Sequence, residues 1–116
     1  MIVKLINIKS PSDETDHEIE SLSLGEHYEV IGIESDSYRI IDRDQEPCLY
    51  PSDCFQIIDN TKPAFWITEI GQNGEEYSYP PTWMSSGFFE DFFDGINETI
   101  EQFWDKHKKL YCIDNK

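Results

Sequence analysis

Positive charge is what this chain has least of: nine lysines and arginines stand against 24 aspartates and glutamates in 116 residues, a formal net charge of −15 with a pI near 4.3. A field of that sign repels phosphate backbones and anionic membrane surfaces, so nucleic acids and membranes are excluded as expected partners, and the charge favours a basic protein partner or simply solubility. Cysteine is scarce too. Cys48, Cys54 and Cys112 include no C-x-x-C pair, which argues against a disulfide framework and against a structural zinc site, whose ligands usually come in close pairs. The N-terminus has no charged region followed by an apolar stretch and a cleavage site, and a reducing cytoplasm is the expected location. No catalytic or cofactor motif, internal repeat or low-complexity tract is present. The expectation is therefore a protein that is not an enzyme, with no cofactor and no metal.

What the chain does have is aromatic area. Aromatic residues make up 14% of it and hydrophobic residues 38%, so despite the charge a packed core is expected within a single domain, residues 1–116. The organising stretch is Leu24 to Ile58, where short β-rich runs are separated by turn residues. Tyr28, Val30, Ile31 and Ile33 carry apolar side chains on both faces, as a strand covered on two sides would. Glu34 to Ser37 is a short polar turn, and Tyr38 to Ile41 is expected to return antiparallel as a hairpin. Asp42 to Pro47 forms a second turn before Cys48-Leu49-Tyr50. Pro51 to Asp53 supplies a single helical turn ahead of Phe55 to Ile58. So many strands in so few residues describe a small, strongly bent antiparallel sheet, because helical crossovers need more chain.

Around this stretch, Met1 to Ile8 reads as an opening strand. Asp13 to Glu20 (DETDHEIE) reads as a solvated acidic loop, lacking the glycine of a calcium loop. Asn73-Gly74 marks a second hairpin, between Ala64–Ile70 and Glu75–Tyr79, and Pro80-Pro81 must stop its outgoing strand. Gly87 to Gly95 reads as a short helical turn ended by Gly95. Ile96, Ile100, Phe103, Trp104 and Tyr111 then share one face of a helix over about 97–110, with acids at its start and lysines at its end, as the helix dipole favours.

Leu24, Gly25, Tyr28, Val30, Tyr38, Pro47, Leu49, Tyr50 and Phe55, with Trp66 and Gly87-Phe88-Phe89-Glu90-Asp91, form a pattern over roughly residues 22–104. The pattern resembles the SH3-like barrels of small uncharacterised bacterial proteins associated with immunity to toxins. The resemblance implies a mainly β, α+β fold: a bent antiparallel sheet of SH3-like barrel type with a C-terminal amphipathic helix as cover. It also implies an immunity role, in which the chain binds a cognate basic toxin and neutralises it.

The residues themselves offer two partner-binding groups. Asp13 to Glu46 holds twelve acids against Arg39 and Arg43 alone, and Pro63 to Asp105 holds nine acids with no lysine or arginine. Such clustering costs stability by self-repulsion, which a basic partner would relieve. Glu34, Asp36, Asp42, Asp44 and Glu46 are the candidate carboxylates. Tyr77, Tyr79 and Trp83, beside Pro80, Pro81 and Met84, are candidate interface anchors, although Trp83 would equally serve as a plug beneath the C-terminal helix. The alternative is an adaptor module that binds an extended or proline-rich peptide in a groove of Tyr28, Tyr38 and Tyr50.

Overall fold

The computed structural model describes residues 1–12 and 17–112, so the first half of the acidic segment 13–20, residues 13–16, lies outside the described residues. The strands are β1 (Ile2–Leu5), β2 (His27–Glu29), β3 (Gly32–Glu34), β4 (Ser37–Ile41), β5 (Pro47–Pro51), β6 (Phe55–Asp59), β7 (Ile67–Ile70) and β8 (Glu76–Tyr79). The helices are α1 (Phe88–Phe93) and α2 (Asn97–Leu110), and single 3-10 turns occupy Ser52–Cys54 and Pro81–Met84.

The run from Tyr28 to Ile33, read as one strand, breaks in the middle. β2 joins a three-stranded sheet in the order β2-β1-β6, whereas β3 joins a five-stranded sheet in the order β5-β4-β3-β8-β7, all neighbours being antiparallel. Val30 and Ile31 span the corner, with the Val30 N–H donating to the Met1 carbonyl and the Ile31 N–H to the Arg39 carbonyl. The two residues are fully buried on opposite sides, Val30 in an aliphatic cluster and Ile31 in an aromatic one. This is why the run is apolar on both faces. Among the described residues no ladder joins the two sheets, so the architecture is α+β with two antiparallel sheets and a C-terminal helix, not a closed barrel.

The five-stranded sheet separates the two cores. One face turns Ile33 and Ile40 towards Val3, Leu5, Leu22, Val30 and Phe55 of the smaller sheet and its loops. The other face carries Tyr79 against Trp83, Phe88, Phe89, Phe92 and Phe103. Removing each such side chain from water stabilises the fold by about 1.5–3 kcal/mol. Gly32 is required at its position on β3 because the Tyr79 ring lies across it, where any side chain would collide.

Three expectations are adjusted. β1 stops at Leu5, because the N–H groups of Ile6 and Asn7 both turn to the Cys54 carbonyl and the chain leaves the sheet. The strand before the Asn73-Gly74 turn starts at Ile67, after a turn in which the Trp66 N–H bonds the Pro63 carbonyl. Of the five apolar positions assigned to one face of α2, Phe103 is fully buried and Ile100, Trp104 and Tyr111 are half-buried, but Ile96 precedes the helix and is exposed. Glu98 in the first turn and His107, Lys108 and Lys109 in the last complement the helix dipole.

Candidate partner-binding site

The hairpin register collects half of the proposed site. Glu34 on β3 lies opposite Tyr77 on β8, and Tyr79 follows two residues later on the same face. Arg39 reaches this face from β4, opposite Gly32. After Tyr79, the Pro80-Pro81 pair ends the strand and turns Trp83 beneath α1 and α2.

Arg39 is the centre of the arrangement, and it is 5% exposed. Its Nε donates to the Tyr79 hydroxyl (2.9 Å), its Nη1 to the Pro47 carbonyl (2.8 Å) and its Nη2 to the Glu34 carboxylate, with which it forms an ion pair. The Tyr79 hydroxyl in turn donates to Glu34 Oε2 (2.6 Å). Burial pushes the Tyr79 phenol far above its ordinary value, so the hydroxyl keeps its proton and its role as donor. The guanidinium also sits 3.8 Å from the centre of the Phe89 ring, a cation–π contact that a desolvated arginine favours. A buried cation is tolerated only with such a full set of partners.

Above this network opens a cleft of about 340 Å³, walled by Glu34, Tyr77, Met84, Ser86, Phe88 and Glu90 among others. Tyr77 and Glu34 are half-buried at its mouth, whereas Tyr79 and Trp83 form its floor. Trp83 is 1% exposed and stacks on Phe103 with ring centres 4.5 Å apart. It is thus a core plug and not a surface anchor, and Tyr79 at 3% exposure is likewise core. The Trp83 Nε1 is buried and makes no hydrogen bond among the described residues.

The acidic group divides differently. Asp36 stands exposed in the β3–β4 turn, and Asp44 and Glu46 stand exposed in the β4–β5 turn. Asp42, also assigned to the surface, is instead 5% exposed. Its Oδ1 accepts from the N–H groups of Asp44 (2.9 Å) and Glu46 (3.0 Å), and its Oδ2 accepts from the Tyr50 hydroxyl (3.1 Å). Asp42 therefore builds the turn that displays its neighbours. Carboxylate oxygens of Asp42 and Glu46 and the Cys48 sulfur lie within 4.8 Å of one another. That set fits a metal poorly, since burial and the adjacent Asp42 push the Cys48 thiol up to about 11 and Asp42 already accepts three hydrogen bonds.

Two further groupings fall outside the proposed sites. Tyr28, Tyr38 and Tyr50 do not form an open groove: all three pack on the aliphatic core, with Tyr50 buried and Tyr38 edge-on to Phe55. Among the described residues, Cys112 and His107 lie 3.5 Å apart, sulfur to Nδ1, at the end of α2. His107 stacks between Phe103 and Tyr111, and burial lowers its pKa.

Arg39 was missed as a site residue because a lone cation in an acidic chain reads as a surface charge. Its signal lay in the hairpin register, which puts Glu34 and Arg39 on the same face of adjacent strands. No family model, no curated protein and no solved structure matches this chain. Among the described residues no helix is long and apolar enough to cross a membrane.

Proposed function

We propose that this chain is a non-enzymatic, acidic protein-binding domain, most specifically a cytoplasmic immunity protein of SH3-like barrel type that binds a basic bacterial toxin and neutralises it. The observation that carries the reading is how the charges are distributed. Five of the nine cations are engaged within the chain: Arg39 is buried on Glu34, Arg43 bonds the Glu20 carbonyl and Ser23, Lys62 pairs with Glu76, Lys106 bonds Thr82 and Lys109 pairs with Asp105. Carboxylates such as Asp36, Asp44, Glu46, Glu90, Asp91 and Asp94 face solvent. A surface so arranged steers and captures a basic partner, with a strength that falls as salt rises.

The test is capture of partners by the tagged protein from its native cells, at low and then high salt, followed by expression of any captured protein alone to ask whether it is toxic. A basic toxin released by salt is the expected result. The triple change Asp36→Asn, Asp44→Asn, Glu46→Gln should then weaken its binding by more than about tenfold at low salt. Unchanged affinity would remove these turns from the interface. The second reading, a peptide-binding adaptor, has less support because its three tyrosines pack in the core.

A further inference from the structure

Four strands end a sheet in this fold: β2 and β6 in the smaller sheet, β5 and β7 in the larger. An outer strand exposes a row of unpaired N–H and C=O groups, and soluble proteins usually blunt it with brevity, proline, charged side chains (lysine above all) or a bulge. Three of the four follow that rule. β2 spans only His27–Glu29, β5 is bounded by Pro47 and Pro51, and the pairing of β6 with β1 shifts register so that Ile58 bulges out. β7 is four residues long and has no proline, lysine or bulge, its one charged side chain being Glu69. It reads Ile67-Thr68-Glu69-Ile70, pairs without a bulge along its whole length with β8, and exposes all four side chains, Ile70 by 65% and Ile67 by 40%.

The phase of the ladder shows which groups are open. The Gly71 N–H donates to the Glu75 carbonyl at 2.8 Å, so along the strand Ile67, Glu69 and Gly71 direct their backbone groups to β8. Thr68 and Ile70 therefore direct theirs outward. The Thr68 hydroxyl lies 2.8 Å from that of Ser78, the close approach expected of a pair that exchanges no backbone bonds.

We propose that the open edge of β7 is a docking strand, to which an extended, lysine- or arginine-bearing strand of another protein adds as a sixth strand of the larger sheet. Strand addition of this kind takes its affinity from the backbone and its selectivity from alternate side chains. Charge decides the occupant. Glu69 lies on the strand and Glu75 on the turn beside it, within the stretch from Pro63 to Asp105 that holds no lysine or arginine, while Glu76 on β8 is already paired with Lys62. A second copy of the chain would bring another −15 charges and oppose Glu69 with its own acids. A cationic strand complements the edge, with its lysines on the face of Glu69 and its apolar side chains on the opposite face, beside Ile70. The inference rests on the basic-partner reading and locates it on the molecule.

The experiment uses the full chain and a capped eight-residue peptide of alternating lysine and valine. Two controls accompany it: the same peptide N-methylated at alternate residues, and its glutamate counterpart. Binding is followed at low salt by titration and by amide exchange. The lysine peptide should bind and slow exchange at Thr68 and Ile70 by at least about tenfold, as new ladder bonds would. N-methylation should weaken binding by about tenfold or more while keeping every charge, and the glutamate peptide should not bind. Ile70→Pro, which removes an outward donor and no bond to β8, should act like N-methylation. Equal binding of the methylated peptide, or protection confined to Asp36, Asp44 and Glu46, would overturn strand addition while leaving the basic-partner reading intact. Failure of both lysine peptides to bind would also overturn it, and the toxin capture would then decide the broader reading separately. In sedimentation the chain alone should be a monomer. A dimer abolished by Ile70→Pro would assign the edge to a second copy and refute the proposal.

Discussion

The two ends of the five-stranded sheet are finished in opposite ways. At β5 the strand is bounded by prolines, and the turn that leads into it is held by a buried carboxylate, Asp42, with three hydrogen bonds. At β7 the strand is fully exposed, and its hold on the fold runs through β8, whose Tyr79 rests on the aromatic layer and on Arg39. One sheet thus has a closed end secured by local hydrogen bonds and an open end secured from a distance by packing. The difference matters because an edge that accepts a partner has to be held in shape without being covered.

Breaking the support of the open end should have the largest effect. Trp83→Ala removes the centre of the aromatic layer and should cost about 3–5 kcal/mol in a urea titration. Its amide exchange should show the β7–β8 ladder losing protection before β4–β5. Arg39→Met leaves the half-buried Glu34 and the Pro47 carbonyl without their cation and should cost about 1–3 kcal/mol, the range for polar groups left without a partner. If Arg39→Met were as stable as the parent chain, the network would be dispensable. The loss at the closed end should be smaller than that of Trp83→Ala. Asp42→Ala leaves two turn N–H groups and the Tyr50 hydroxyl without their acceptor, an expected loss of about 1–3 kcal/mol with protection lost first at β5.

A smaller effect follows from acid. Because burial lowers the pKa of His107, the unfolded chain takes up this proton before the folded one does. The stability that belongs to the neutral ring is present above the ordinary histidine value and is lost as pH falls from there towards the lowered folded value. Denaturation midpoints of the parent chain should therefore drop relative to His107→Gln across that window, and parallel curves would contradict the assignment. The smallest perturbation is chemical labelling at mildly alkaline pH. Exposed Cys112 should alkylate quickly, whereas Cys48 on the closed β5, with its thiol near 11, should remain largely unmodified in the folded protein.

The elements of the fold were largely legible, since alternation, the Asn73-Gly74 turn and the helical spacing of Ile100, Phe103 and Trp104 are local signals. The break at Val30–Ile31 was not, because a strand that passes from one sheet to another and a strand covered on both faces have the same apolar pattern. The site was legible only in part. Glu34, Tyr77, Tyr79 and Trp83 do meet, but burial reverses the expected role of Tyr79 and Trp83. Asp42 could not be told from Asp44 and Glu46 by composition, since what separates them is a turn whose amides need one of the three as an acceptor. Arg39 was hidden for the related reason that charge counting gives no weight to a cation whose partners come from other strands.

The claim that one edge of this sheet stands open is tested most directly by amide exchange on the free chain, read residue by residue along β7. The account predicts alternation, with slow exchange at Glu69, whose N–H faces β8, and fast exchange at Thr68 and Ile70, whose N–H groups face outward. Protection at Thr68 and Ile70 in the absence of any partner would show that the edge is already covered and would contradict it.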